Sequence, residues 1–396
     1  MSVLQVASVE MNSPRALWVT LGLLVVGCPA PTTDPDAGGD AGSSDSGVDD
    51  AGSRDAGPTP RQVGTVNIVL DEPCAAVTAG NECSSKGVSG SPTGSRCLTI
   101  SVSGCPSLPP QRACVRVNSP SAASPTLALF TGGNGTALYG GAFVSKARQA
   151  NFRTVEIAWA EPLGWMDLPY GFVANACLPA SALRWAFADP TLHAGNRGLG
   201  FCATGNSGGS SQVAYSLTHY GLGDWVDLAI PTSGPVTSQV SWGCDPTECA
   251  AANFCSFTPG TECPDAGQYT RPIAYDCGGH RNHIVAGEGT TSCVPACSSP
   301  TPMVSEADRK KWRADSVLSS DAQLTFPKTL VHQYLGCLDP TIAVTMALPF
   351  RDAVGSANGS RTSLTWEPTA AHSLAGDQQA GNDMLADLSA NCVPRH

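Results

Sequence analysis

The chemistry available to this chain concentrates in one short run, Gly205-Asn206-Ser207-Gly208-Gly209. The spacing Gly-x-Ser-x-Gly holds a serine on a sharp bend between a strand and a helix, with its hydroxyl clear of the backbone. The glycines matter because a side chain there would collide when the chain turns so tightly. The bare pattern is weak in a chain with 42 Gly, but its flanks strengthen it. Residues 198–204 form an apolar run, and Val213, Leu217 and Tyr220 follow as an apolar helical stripe. A serine alcohol is a poor nucleophile until a base takes its proton, so a histidine oriented by a carboxylate is also required. The histidines are 193, 219, 280, 283, 332, 372 and 396. His219 would lie about 18 Å from Ser207 along the expected helix, which is out of reach.

A serine held in this way needs a strand before it, a helix after it and a sheet to fix both. Residues 65–70, 97–102 and 113–117 are β-rich runs separated by turns. Strands at 126–130, 154–158, 198–204 and 226–230 then alternate with helices at 137–150, 178–188 and 210–220. After residue 325 the alternation resumes with strand 329–334, helix 345–354, strand 363–367 and helix 378–389. Such crossover units predict an α/β fold, a mostly parallel central sheet with helices on both faces. Residues 63–230 and 326–396 are its two parts. Residues 231–325 between them are rich in Cys and Pro and poor in apolar runs, which predicts a disulfide-rich cap insertion.

On the Ser207 turn and its setting, the chain resembles the α/β-hydrolase superfamily of serine esterases and lipases over roughly residues 98–389. The resemblance implies a Gly-rich loop after an earlier strand. Thr131-Gly132-Gly133-Asn134-Gly135 is similar to the family's His-Gly-Gly-Gly loop, with Thr where His is frequent. The implied oxyanion hole pairs the amide of Gly208 with that of Gly133 or Asn134. In this family the chain order is Ser, acid, His. Gly336-Cys337-Leu338-Asp339-Pro340 looks like the Gly-x-x-Asp-Pro acid turn, and His372 follows 33 residues after Asp339. Asp224 and Asp227 begin a strand, away from the carboxyl ends where catalytic groups of open α/β sheets gather. His332 lies inside a strand and reads as a core histidine. The implied reaction is hydrolysis of a carboxylic ester through an acyl-enzyme. Ser207 attacks, His372 takes the proton, Asp339 fixes the imidazole, and activity falls on acidification. A peptidase uses the same groups, and a non-catalytic binding protein on this fold is the third reading.

No cofactor is expected. Cys277, His280 and His283 have the spacing of metal ligands but lack a fourth, so no metal is expected either. Glu161, Trp165 and Tyr170 follow a strand near the catalytic edge and are expected to line the pocket mouth. His280 and His283 in the insertion could touch substrate. The first residues read as an address: Arg15, an apolar run at 16–26, then Val25-Val26-Gly27-Cys28. That ending resembles a bacterial lipobox, which implies lipidation of Cys28 at the end of a signal peptide, residues 1–28. Residues 29–62, with Asp-Ala-Gly recurring, cannot bury enough apolar surface to order and form a flexible tether. Sixteen further cysteines allow up to eight disulfides, as in an oxidised extracytoplasmic compartment. Location is expected at a bacterial outer membrane or cell surface, or outside the cell. With 22 basic against 33 acidic residues, a net charge of -11, nucleic acid is excluded as a partner. The expected partners are an ester substrate, small or polymeric, and a membrane reached through the lipid anchor only.

Overall fold

The computed structural model describes residues 58–120, 123–244, 256–257, 263, 269–270, 305–339 and 343–395. Cys28, the leader, the tether before residue 58, and Cys277, His280 and His283 lie outside the described residues.

The expected alternation is realised. Three antiparallel strands open the fold: β1 (Thr65–Pro73), β2 (Arg96–Ser103) and β3 (Gln111–Asn118). β4 (Thr126–Phe130), α1 (Gly141–Gln149), β5 (Arg153–Trp159), α2 (Phe172–Asn175) and α3 (Cys177–Ala188) follow. Then come β6 (Phe201–Asn206), α4 (Gly208–Tyr220), β7 (Leu228–Thr232) and α5 (Val240–Cys244). The insertion contributes a short pair, β8 (Ser256–Phe257) and β9 (Tyr269–Thr270), and α6 (Glu306–Ala314). The chain closes with β10 (Leu330–Gly336), α7 (Ala343–Asn358), β11 (Thr362–Glu367) and α8 (Gln378–Asn391).

One nine-stranded sheet has the order β1-β2-β3-β5-β4-β6-β7-β10-β11. From β5 to β11 the pairing is parallel, and β3 joins β5 antiparallel. Strand side chains alternate between faces, and both faces are covered. Ala128 and Phe130 of β4 pack with α3 and α4. Leu127 and Leu129 pack with Phe143 and Val144 of α1 and Met384 and Leu388 of α8. This is why the central strands read as continuous apolar runs in the sequence.

Boundaries shift for local reasons. The first expected helix starts late, at Gly141, because Gly140 stands at φ +62°. The strand expected from residue 226 begins at Leu228, because the N–H groups of Trp225 and Val226 close a turn on the Leu222 carbonyl. The two described ends of the insertion meet each other and the body. Val317 and Leu318 donate to the carbonyls of Thr237 and Ser238, and the Thr237 hydroxyl donates to that of Ser211 at 2.9 Å. Buried Asp315 accepts the N–H groups of Phe172 and Val173 at 2.8 and 2.9 Å. Burial raises that carboxyl to about 7.

Five disulfides close among the described residues: Cys74–Cys97, Cys83–Cys114, Cys105–Cys177, Cys202–Cys392 and Cys263–Cys337. The fourth ties the strand leading to Ser207 to the last helix. The fifth ties the insertion to the end of β10.

Candidate active site

Ser207 sits between β6 and α4 with φ +56° and ψ −117°. A non-glycine residue in that region is strained and persists only where its surroundings enforce it. Here they do. A Cβ on Gly205 would lie 2.2 Å from the Gly209 carbonyl oxygen, and one on Gly209 would lie 2.2 Å from that of Phe130. A Cβ on Gly208 would meet the Gly133 carbonyl oxygen at 2.1 Å. Only glycine fits at these three positions, so the sequence motif is a packing requirement. The Ser207 N–H donates to the Thr232 carbonyl at 2.9 Å, and the Ser210 hydroxyl donates to the Ser207 carbonyl. The serine thus caps β6 while tied to the end of β7. The first N–H groups of α4, including that of Gly208, have no partner within their helix, and the positive end of its dipole lies beside the serine.

The loop after β4 folds over this turn. Gly135 donates to the Gly132 carbonyl at 3.2 Å, and Gly133 has φ +58°. A Cβ on Gly132 would lie 3.2 Å from Ser207 Cβ, so Gly132 is where this loop comes against the serine. Asn134 is anchored by its carbonyl, which accepts from Trp165 N at 3.0 Å, and by its side-chain amide, which donates to Pro162 O at 3.2 Å; neither contact uses its backbone N–H.

Asp339 follows β10. Its N–H donates to the Gly336 carbonyl, while Leu338 N donates to Ala370 O. Gly336 has no side chain because the Ala370 carbonyl would lie 2.3 Å from it. These contacts bring the segment after β11 against the Asp339 turn. The His372 Nδ1–H donates to Asp339 Oδ2 at 2.8 Å, with the carboxylate fully buried and the imidazole about one-third exposed. A buried carboxylate on Nδ1 leaves Nε2 as the basic nitrogen. Asp339 and His372 are therefore joined in the geometry expected of an acid and the imidazole it orients. Among the described residues no hydrogen bond joins Ser207 Oγ to His372. The neighbouring strand ends are linked: the Thr232 carbonyl accepts the Ser207 N–H, and Thr232 pairs with Tyr334, two residues before Gly336.

A cavity of about 350 Å³ lies at this edge, lined by Thr131, Gly132, Tyr139, Asn206 and Ser373 among others. It touches the residues next to Ser207 and His372 and the Gly-rich loop. Burial pushes the Tyr139 phenol up to about 12, so it stays neutral there. A larger cavity, about 500 Å³, lies by Gly221 and Phe326 at the opposite edge, away from the chemistry.

The three residues expected at the mouth are not among those lining the smaller cavity. Glu161 is exposed and pairs with Lys86 at 2.9 Å. Trp165 corrects the expectation most clearly: it is fully buried, packed against Phe172 and Tyr215, because apolar area outweighs its indole N–H. Tyr170 is partly buried against the same core. His332 is hydrogen-bonded to Asp387 of α8 at 2.8 Å, a structural contact. Asp227 sits at the amino edge, accepting from Phe201 N and Arg395 N. Thr232 and Gly132 also position the serine and are not distinguished by the sequence. Thr232 gives no local signal, and Gly132 was one glycine among several in its loop.

Taken together, the sheet order, the two covered faces and the strained strand-to-helix serine define an α/β-hydrolase fold. No family model matches the chain, and no curated protein does. Solved structures similar to it include carboxyl esterase 2 from Tuber melanosporum, 11% identical over 77% of this chain and 88% of that one, TM-score 0.43. Acetyl xylan esterase 1 from Thermoanaerobacterium is 11% identical over 83% and 88%, TM-score 0.41. Dienelactone hydrolase from Anabaena variabilis is 10% identical over 75% and 96%, TM-score 0.39. At such values function must be read from the site itself.

Proposed function

We propose that this chain is an extracytoplasmic serine hydrolase that cleaves carboxylic esters through Ser207, His372 and Asp339. The observation that carries the reading is the left-handed backbone of Ser207, enforced by three glycines that tolerate no side chain. Strain of this kind is stored where a side chain must be presented. The Asp339–His372 hydrogen bond supports the same reading, since it prepares Nε2 to accept the serine proton.

Ser207 Oγ attacks the ester carbonyl carbon while Nε2 of His372 takes its proton. The carbonyl becomes an oxyanion held by the Gly208 amide and by an amide of Gly133 or Asn134, each donor worth roughly 10²–10³ in rate. Protonated His372 then gives its proton to the leaving alcohol. Water, activated by the same nitrogen, releases the acid and restores Ser207. The small cavity beside Asn206 and Ser373 is the candidate seat for one arm of the ester. Five disulfides, and the leader ending at Cys28, support a surface-tethered or secreted location.

A fluorophosphonate probe tests this directly. Labelling at Ser207, lost in Ser207→Ala together with hydrolysis of p-nitrophenyl esters, is the expected result. Ligand binding without labelling would instead mark a receptor on a hydrolase fold, and full esterase activity in Ser207→Ala would refute the assignment.

A further inference from the structure

We infer that the amino-terminal edge of the sheet, opposite the proposed catalytic edge, is a basic surface that docks on an anionic lipid bilayer. Six basic residues without a carboxylate partner among the described residues lie at this edge. Arg148 is near the end of α1, Arg184 is in the last turn and a half of α3, and Arg197 lies in the loop before β6. Lys328 and Arg361 immediately precede β10 and β11, and the Arg395 backbone is bound to Asp227 just before β7. In a parallel sheet with returning helices, all these positions fall on the amino edge. From β5 to β11 it extends about 24 Å at the usual strand spacing. Among the described residues none of the six makes an ion pair with a carboxylate. Arg197, Arg361 and Arg395 instead donate to the neutral carbonyls of Asp224, Phe326 and Asn391.

Elsewhere among the described residues most bases are paired: Lys86, Arg112, Arg116 and Arg351 each meet a carboxylate, as do Arg309 and Arg313 of α6, while Lys310 and Lys311 do not and Lys146 of α1 binds Asn382. Arg96, which also bonds Thr191, pairs with Asp71. Acidic groups on the amino edge are largely spent. Asp227 accepts two backbone N–H groups, Asp321 pairs with Arg61, and Asp189 holds the Thr191 amide and hydroxyl. Asp224 is exposed there. Excess positive charge therefore sits on one edge of a protein whose net charge is -11.

Two guanidinium groups also share one indole. The Arg184 carbon lies 3.5 Å from the Trp225 ring centre and that of Arg197 lies 4.7 Å from it. Burial and the Arg197 charge both oppose the charge on Arg184, lowering its pKa. Holding like charges together around a tryptophan suits an interface where phosphate anions lie beside a semi-polar layer.

The membrane is favoured as the occupant by where the chain enters. Arg61 N–H donates to the His219 carbonyl at 2.7 Å, and Pro60 packs against Gly221, at the amino edge beyond the end of α4. The described residues therefore begin at the same edge, with Cys28 thirty residues before residue 58 in the sequence. Docking on it would turn the Ser207 edge outward, toward esters outside the host bilayer.

The test compares binding of the full-length protein to phosphatidylcholine vesicles with and without phosphatidylglycerol. Any lipid on Cys28 contributes equally to both, so the ratio isolates charge. Each basic group near an anionic surface changes partitioning about fivefold. The expected result is a preference for phosphatidylglycerol that disappears at high salt and falls at least fivefold in Arg184→Ala/Arg197→Ala. Lys328→Gln provides an independent, milder variant should that pair fold poorly. Hydrolysis of soluble p-nitrophenyl acetate, measured separately, should be unchanged, so failure here is distinguishable from failure of the proposed triad. Equal binding to both vesicles, or a preference insensitive to salt and to these variants, would overturn the surface. Capture by heparin without a preference for phosphatidylglycerol would overturn the membrane as its occupant.

Discussion

At Ser207 the chain holds a backbone state that serine rarely adopts, and the cost is met by contacts no other residue type could make. Gly209→Ala should therefore lower stability by at least about 2 kcal/mol in urea unfolding, since its methyl group meets the Phe130 carbonyl. Asp339→Asn should leave the fold intact but reduce kcat for ester hydrolysis about 10⁴-fold, because an amide no longer selects the Nδ1–H tautomer of His372. A drop below tenfold would mean that the imidazole is not the base. Gly205, Ser207 and Gly209 are visible as a motif because the packing constraint acts on adjacent residues. The pairing of Asp339 with His372 is not visible locally and was reached through the resemblance. The burial of Trp165 is not legible, because an aromatic after a strand reads alike whether it faces a mouth or the core.

At the scale of elements, β6 carries the serine and is held at its far end by Cys202–Cys392. That bond closes a sequence separation of 190 residues, so its loss frees a large unfolded loop. Cys202→Ala/Cys392→Ala should cost about 2–5 kcal/mol of stability in a denaturant titration under oxidising conditions. An unchanged midpoint would show that α8 is held by packing alone. Helices and central strands were legible because their apolar patterns are long and buried on known faces. Their ends were less so, since Gly140 and the turn at Leu222 act through backbone geometry rather than hydrophobicity.

The whole molecule carries opposing pH effects. Burial lowers His193 and His219 to about 4, while it raises Asp315 and Glu367 to about 7. A histidine with a folded value below its unfolded one binds fewer protons when folded. Its neutral burial is tolerated above about 6.5, and stability is lost as pH falls from there toward 4. The raised carboxyls act in the other direction, favouring the folded state as pH falls from about 7. His219→Gln should consequently remove about 2 kcal/mol of the acid-induced loss between pH 6.5 and 5, read from urea unfolding at both values. A variant whose stability falls with acid as much as the parent would place the sensitivity elsewhere.

The amino-acid sequence by itself determined the class of fold, the serine turn and the oxidised cysteine framework, because periodicity, tight-turn glycines and cysteine number act over short spans or by composition. Tertiary structure decided which distant groups meet. Among the described residues it joined Asp339 to His372, closed five particular disulfides, buried Trp165 and set Arg184 and Arg197 against Trp225 on one edge. Those outcomes depend on strand order and on the burial of charge, both of which are set only when separate segments pack against one another.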